Sequence, residues 1–201
     1  MKIGEIKIHT LVLMNLCNEN QFTLEKYNKY LNETKYNRFL VNMDEPIKRA
    51  IDIINSREIL KEKSVKLSTL TYTPVDSGIH LELNQITDLY KVKKVIAIKN
   101  GIVDLNYTIF SNNLYIHSNL IDKIYLVYYP KIEIQNFALD TEIDLPDNLA
   151  RLIPYFVKYE LYQEDEPNLA LLAKNDFENL IESYRQKEYD TTSEIEKIYE
   201  V

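Results

Sequence analysis

Apolar positions recur with a helical period near both ends of the chain and with a period of two in between. Phe39, Leu40, Met43, Ile47, Ala50, Ile51 and Ile54 follow one another at steps of three and four, which lays a single stripe along an α-helix. Asp44 supplies an N-cap and Pro46 a first-turn proline, so a helix is predicted from Asp44 to about Arg57. Upstream, Ile3, Ile6, Thr10, Leu13 and Cys17 fit a helical stripe, while Ile6-Lys7-Ile8 and Leu11-Val12-Leu13 also alternate as a strand would. Helix is the reading adopted for that segment. Thr23 can cap a further short helix with Leu24, Tyr27 and Leu31 on one face.

After Lys63 the period changes. Val65 and Leu67 alternate with Lys66 and Ser68, then the apolar parity shifts to Leu70 and Tyr72, which predicts a bulge near Ser68-Thr69. Pro74, Asp76, Ser77 and Gly78 form a turn, and Ile79, Leu81 and Leu83 then alternate with polar neighbours. Val92 to Lys99 reads as a strand, Asn100-Gly101 as a type I′ turn, and Ile102 to Phe110 as its antiparallel return. Asn112-Asn113 turns into Leu114 to His117, and a last strand runs from Ile124 to Tyr129 and stops at Pro130. That strand is apolar or aromatic on both faces. Burial of both faces within the molecule is the first reading, and a partner meeting Tyr125 and Tyr129 the second.

Helical spacing resumes at Asp147, with Leu149, Leu152, Ile153, Phe156, Val157 and Leu161 on one stripe. Pro154 within it predicts a kink or a restarted first turn. Asp165-Glu166-Pro167 opens another helix, with Leu169, Leu172, Ala173, Phe177, Leu180, Ile181 and Tyr184 expected to face inward. So short a linker makes the two helices an antiparallel pair. The fold class expected is therefore α+β: a helical bundle, residues 1–63 plus 145–188, ending in a helical hairpin, with a small antiparallel β-sandwich or barrel, residues 64–144, inserted. Residues 189–201 are expected to be a flexible tail in which Ile195, Ile198 and Tyr199 sit at helical spacing and could order against a partner.

Composition narrows what such a chain can do. At 201 residues it is long enough for a real core. Cys17 is the single cysteine, so no disulfide framework exists, and a buried structural thiol is expected. The apolar run Leu11 to Met14 is too short for a membrane span, and a soluble protein is expected. Three widely spaced glycines, Gly4, Gly78 and Gly101, exclude both the P-loop and the dinucleotide fingerprint. A formal charge of −7 argues against a surface that grips nucleic acid; Lys91, Lys93 and Lys94 read as a solvated strand face.

No catalytic residue, cofactor or metal is expected. Asp140, Glu142 and Asp144 form an alternating acidic connector with no second group placed to complete acid-base chemistry. His9, His80 and His117 are scattered; His80 and His117, both on strands, could meet but lack a third ligand at metal spacing. An enzyme is not expected.

The run YYPKI, an acidic connector, then IDLPDNLARLIPYFVKYELYQEDEPNLALLAKNDFENLIESY resembles the C-terminal part of the head-tail connector proteins of tailed bacteriophages, the adaptor or neck-ring family. Shared features are Tyr-Pro closing a strand, Leu-Pro opening a helix, Ile-Pro-Tyr within it, Leu-Tyr before an acidic proline turn, and an amphipathic helix carrying Phe177. The resemblance covers about the last third of the chain. It implies a virion structural protein of the neck, made in the host bacterial cytoplasm. Such a subunit forms a homo-oligomeric ring, typically a dodecamer, docks on the portal protein, meets tail or neck proteins, and continues the DNA channel without binding DNA specifically. Interface residues under this reading are Tyr125, Tyr129, Ile195, Ile198 and Tyr199. A different neck or tail-completion ring, or a non-phage binding module, is the alternative.

Overall fold

The computed structural model describes residues 1–18, 26–76, 78–98, 101–118 and 123–190. The chain divides into two compact units, Met1–Ile59 with Ile132–Val201, and Leu60–Lys131. The fold is mixed α+β, as its two periods require, with two antiparallel sheets and a C-terminal helical region.

The helical unit contains α1 (Ile3–Leu13), α2 (Tyr27–Leu31), α3 (Thr34–Leu40), α4 (Asp44–Ser56), α5 (Asp147–Ala150), α6 (Ile153–Tyr162) and α7 (Pro167–Asp190). α1 is buried on nearly every side: Ile3, Ile6, Ile8 and Leu11 are in the core, and so are Lys7 and Thr10. That explains its ambiguous pattern, since a helix apolar all round matches both templates. Lys7 Nζ lies 2.6 Å from Asp44 Oδ1, an ion pair outside hydrogen-bond angle; Thr10 Oγ1 donates to the Ile6 carbonyl at 2.9 Å.

Both ends of α1 are satisfied by distant chain. The amides of Ile3 and Gly4 donate to the carbonyls of Thr141 and Leu139, each at 3.0 Å, taking up donors that a first helical turn leaves free. At the other end Lys158 Nζ and Tyr162 Oη donate to the carbonyls of Leu13 and Met14 at 2.8 and 3.1 Å. Residues 132–144, expected within the β domain, therefore cap a helix of the other unit, and the β unit closes at Lys131. Asn55 holds the start of this connector: its amide donates to the Ile132 carbonyl at 2.9 Å and its carbonyl accepts from the Ile132 amide at 3.0 Å.

The predicted stripe of α4 is observed, with Met43 rather than Asp44 at the N-cap position; Phe39 and Leu40, at its upstream end, belong to the separate α3. Pro154 does not kink a continuous helix. It occupies the first turn of α6, after α5 has ended, where a missing amide costs nothing. α6 and α7 pair as the expected hairpin through Phe156 and Phe177, ring centroids 5.2 Å apart. Arg49–Glu160 and Arg57–Glu178, at 2.7 and 2.8 Å, tie α4 to the two hairpin helices. Only part of the expected inward stripe of α7 is buried, namely Ala173, Phe177 and Ile181, joined by Ala170, which the stripe did not include; Leu169, Leu172 and Leu180 are exposed, as is Leu171.

Among the described residues the second unit is a sandwich of eight strands: β1 (Lys63–Lys66), β2 (Tyr72–Val75), β3 (Gly78–Glu82), β4 (Leu89–Ile98), β5 (Ile102–Asp104), β6 (Tyr107–Phe110), β7 (Asn113–Ile116) and β8 (Ile124–Pro130). One sheet runs β1-β8-β4-β5 and the other β2-β3-β7-β6, all neighbours antiparallel. Their inner faces share one core of Leu67, Ile79, Leu81, Val95, Leu114, Ile116, Leu126 and neighbouring side chains. The parity shift at Ser68-Thr69 is not a bulge. Leu67–Thr69 is a 3₁₀ turn that carries the chain from the first sheet to the second, a corner of the kind that lets consecutive strands line opposite layers. The bulges lie in β4, at register shifts between Leu89 and Lys91 and between Val92 and Lys94. The second of these puts Val92 and Val95 into the same core.

The expected long return strand also divides. Ile102–Asp104 pairs with β4, whereas Tyr107–Phe110 pairs with β7 in the other sheet. The turn expected at Asn100 lies outside the described residues. A turn with positive φ at both central positions closes the β6-β7 hairpin instead, at Ser111 (48°) and Asn112 (64°), the backbone that a type I′ turn requires. At Gly78 a Cβ would stand 1.9 Å from the Ile116 carbonyl oxygen, so only glycine lets β7 approach there.

Candidate interaction surfaces

β8 is central in its sheet, between β1 and β4. Ile124, Leu126 and Tyr128 belong to the sandwich core, Val127 is buried on the other face, and Tyr125 and Tyr129 flank it half-buried. Tyr125 lies opposite Lys66 and Ile96, and Tyr129 opposite Lys91. The Lys93 ammonium sits 5.6 Å from the Tyr129 ring centroid and pairs with Glu62. Burial works against that charge, but the Glu62 carboxylate outweighs it and raises the Lys93 pKa. The lysine stems thus lie along the aromatic face. Ile195, Ile198 and Tyr199 lie outside the described residues.

Asp88 ties three segments of the sandwich together. Tyr128 Oη donates to Asp88 Oδ1 at 2.9 Å, Lys63 Nζ to Oδ2 at 2.6 Å, and the Lys131 amide to its carbonyl at 2.6 Å. Burial pushes the Asp88 pKa up, but the Lys63 and Tyr128 bonds and the Lys63 charge outweigh it and hold the carboxylate below its usual range. Burial and the hydrogen bond to Asp88 push the Tyr128 phenol up to about 12. These bonds join β1, β8 and the residues ahead of β4, which is a structural use of a carboxylate.

The residues with chemical potential do not converge. His80 stacks on Tyr115 with centroids 4.9 Å apart and shares a 2.9 Å bond with Asn113 Oδ1, rather than meeting His117. Asp140, Glu142 and Asp144 are exposed along the connector, and burial raises the pKa of Cys17 despite the nearby Lys35. Among the described residues no three His, Cys, Asp or Glu side chains gather at metal-binding spacing, and no helix is long and apolar enough to cross a membrane.

What stands out on the surface is apolar. Ile102 and Val103 on β5 are each 48% exposed, and Ile109 and Phe110 on β6 are 45% and 73% exposed. The second set is Leu169, Leu171, Leu172 and Leu180 on α7. Searched against protein-family models and curated proteins, the chain matches none.

Sequence reasoning missed both sets: Leu169, Leu172 and Leu180 were expected to face inward, and the strand over residues 102–110 was given no face. A signal was present in each. Residues 102–110 contain a single charge, Asp104, and residues 169–173 read Leu-Ala-Leu-Leu-Ala, wider than one buried stripe needs.

Proposed function

We propose that the chain is a head-tail connector subunit of a tailed bacteriophage, an adaptor that forms a ring of identical copies, docks on the portal protein and continues the DNA channel toward neck and tail proteins in the virion. It acts without catalysis. The observation that carries this reading is the stretch from Ile124 to Tyr184. Its resemblance to the adaptor family is matched by a strand closing at Pro130, an extended connector and an antiparallel helical hairpin in that order. Two physical points add support. A chain with formal charge −7 repels DNA in a lumen and lets it pass, where a basic wall would hold it. The exposed leucines of α7 offer apolar area suited to a subunit contact.

The test is to mix the purified full-length protein with the portal protein of its own phage and follow the product by native mass spectrometry and cryo-EM. Rings seated on the portal are expected. A protein that stays monomeric and ignores that portal refutes the reading. Truncation after Asp190, where α7 ends, is expected to leave the circular dichroism spectrum essentially unchanged while weakening assembly; full assembly would remove the tail from the interface.

A further inference from the structure

The sandwich treats its two open sides differently. On one side the edge strands are β1 and β2. β1 carries Lys63 and Lys66, and β2 carries Pro74, which has no amide to offer; these are the devices by which edges refuse further strands. On the other side the edges are β5 and β6, two consecutive strands joined only by Leu105-Asn106. The Leu105 amide bonds the Val95 carbonyl of one sheet, and the His117 amide bonds the Asn106 carbonyl for the other. Residues 102–110 therefore form a nearly continuous bent edge that serves both sheets in turn.

That edge lacks the lysines and the proline of the other side. It contains no lysine, no proline and one charge, Asp104, which is exposed. By the alternation of an antiparallel ladder, the amides and carbonyls of Leu105 and Asn106 that face the sheets put those of Ile102, Asp104, Tyr107 and Ile109 on the outer side. Among the described residues no strand pairs there. Ile102, Val103, Ile109 and Phe110 add exposed apolar area beside these outward groups.

We propose that residues 102–110 accept an extended strand from a different protein chain, one with apolar side chains at alternate positions and a lysine or arginine that reaches Asp104. The outward main-chain groups specify an extended occupant, the four exposed side chains specify apolar alternation, and the lone carboxylate specifies the charge. A second copy of this chain is the poorer occupant. Its other edge carries lysines and a proline, and its own residues 102–110 bring a second Asp104 and no lysine or arginine to meet the first. The inference does not depend on the chain being a phage connector.

The test uses the full chain and a fluorescent nine-residue peptide of alternating valine and threonine with one lysine, read by anisotropy. A second peptide has the same side chains, with alternate amides N-methylated so that one edge cannot donate. The first peptide is expected to bind, and the methylated one to bind at least about tenfold more weakly. Ile109→Lys and Ile102→Lys should each weaken binding by a similar factor, while Val75→Lys on the opposite edge leaves it unchanged. Circular dichroism reports whether each variant is folded, and Phe110→Ser replaces either lysine variant that is not. No binding, equal binding by the methylated peptide, or equal loss in Val75→Lys overturns the proposal. So does sedimentation showing that the full chain dimerises and that Ile109→Lys abolishes the dimer, since a second copy would then own the edge.

Discussion

Replacing Asp88 with alanine strands the Tyr128 hydroxyl and frees Lys63. Tyr128 is a core residue, 6% exposed, and its hydroxyl bonds Asp88 at 2.9 Å. Leaving such a donor without a partner costs about 1 to 3 kcal/mol. The Lys63 side chain is 51% exposed, so its bond to Asp88 adds about 0.5 kcal/mol. The expected total is about 1.5 to 3.5 kcal/mol. Tyr128→Phe removes the donor along with its need and should cost about 1 kcal/mol. In the double variant the two losses overlap, giving a coupling of about 1 kcal/mol or more. Urea unfolding followed by far-ultraviolet circular dichroism measures this, since the chain has no tryptophan to report. Additivity within about 0.3 kcal/mol would refute the view that Tyr128 and Asp88 stabilise the sandwich as a pair.

The same pair predicts a pH dependence. Asp88 is held below its usual range, so its contribution is present above pH about 4 and is lost as pH falls through the lower folded value; the gap between wild type and Asp88→Ala should narrow in acid titrations of stability. Tyr128 is raised to about 12, so its contribution is present below pH about 10 and lost as pH rises toward 12, a loss that Tyr128→Phe should remove. Phe177→Ala, at a fully buried ring against Phe156, should cost the helical unit about 3 to 5 kcal/mol in a urea melt. Asn55→Ala should cost about 2 kcal/mol by the same measurement, because it unpairs both the amide and the carbonyl of Ile132. Gly78→Ala should lower the thermal midpoint through about 3 kcal/mol of forced separation between β3 and β7, and a midpoint within a degree of wild type would contradict the close approach at Ile116.

Where an element buries one face and leaves the other wet, its residues announce it. α4 follows its stripe from Met43 to Ile54, β3 alternates as written, and the α6-α7 hairpin follows from two stripes and a short acidic proline turn. The period alone carries that information, because burial of a single face constrains every third or second residue. The central place of β8 was equally legible, since a run such as Ile-Tyr-Leu-Val-Tyr-Tyr, apolar or aromatic at every position, suits a strand paired on both edges.

The tertiary structure alone decided everything that depends on which layer a residue joins. A parity shift reads the same whether it marks a bulge or a corner between sheets, so Ser68-Thr69 and Leu105-Asn106 could not be assigned from spacing. An apolar residue reads the same whether its neighbour is the core or open solvent. Leu172 of α7 was therefore expected in the core and Phe110 of β6 had no face assigned, until the helix packing and the sheet order left both outside. The edges are the sharpest case: being last in a sheet is a property of pairing between distant segments, and no local pattern encodes it.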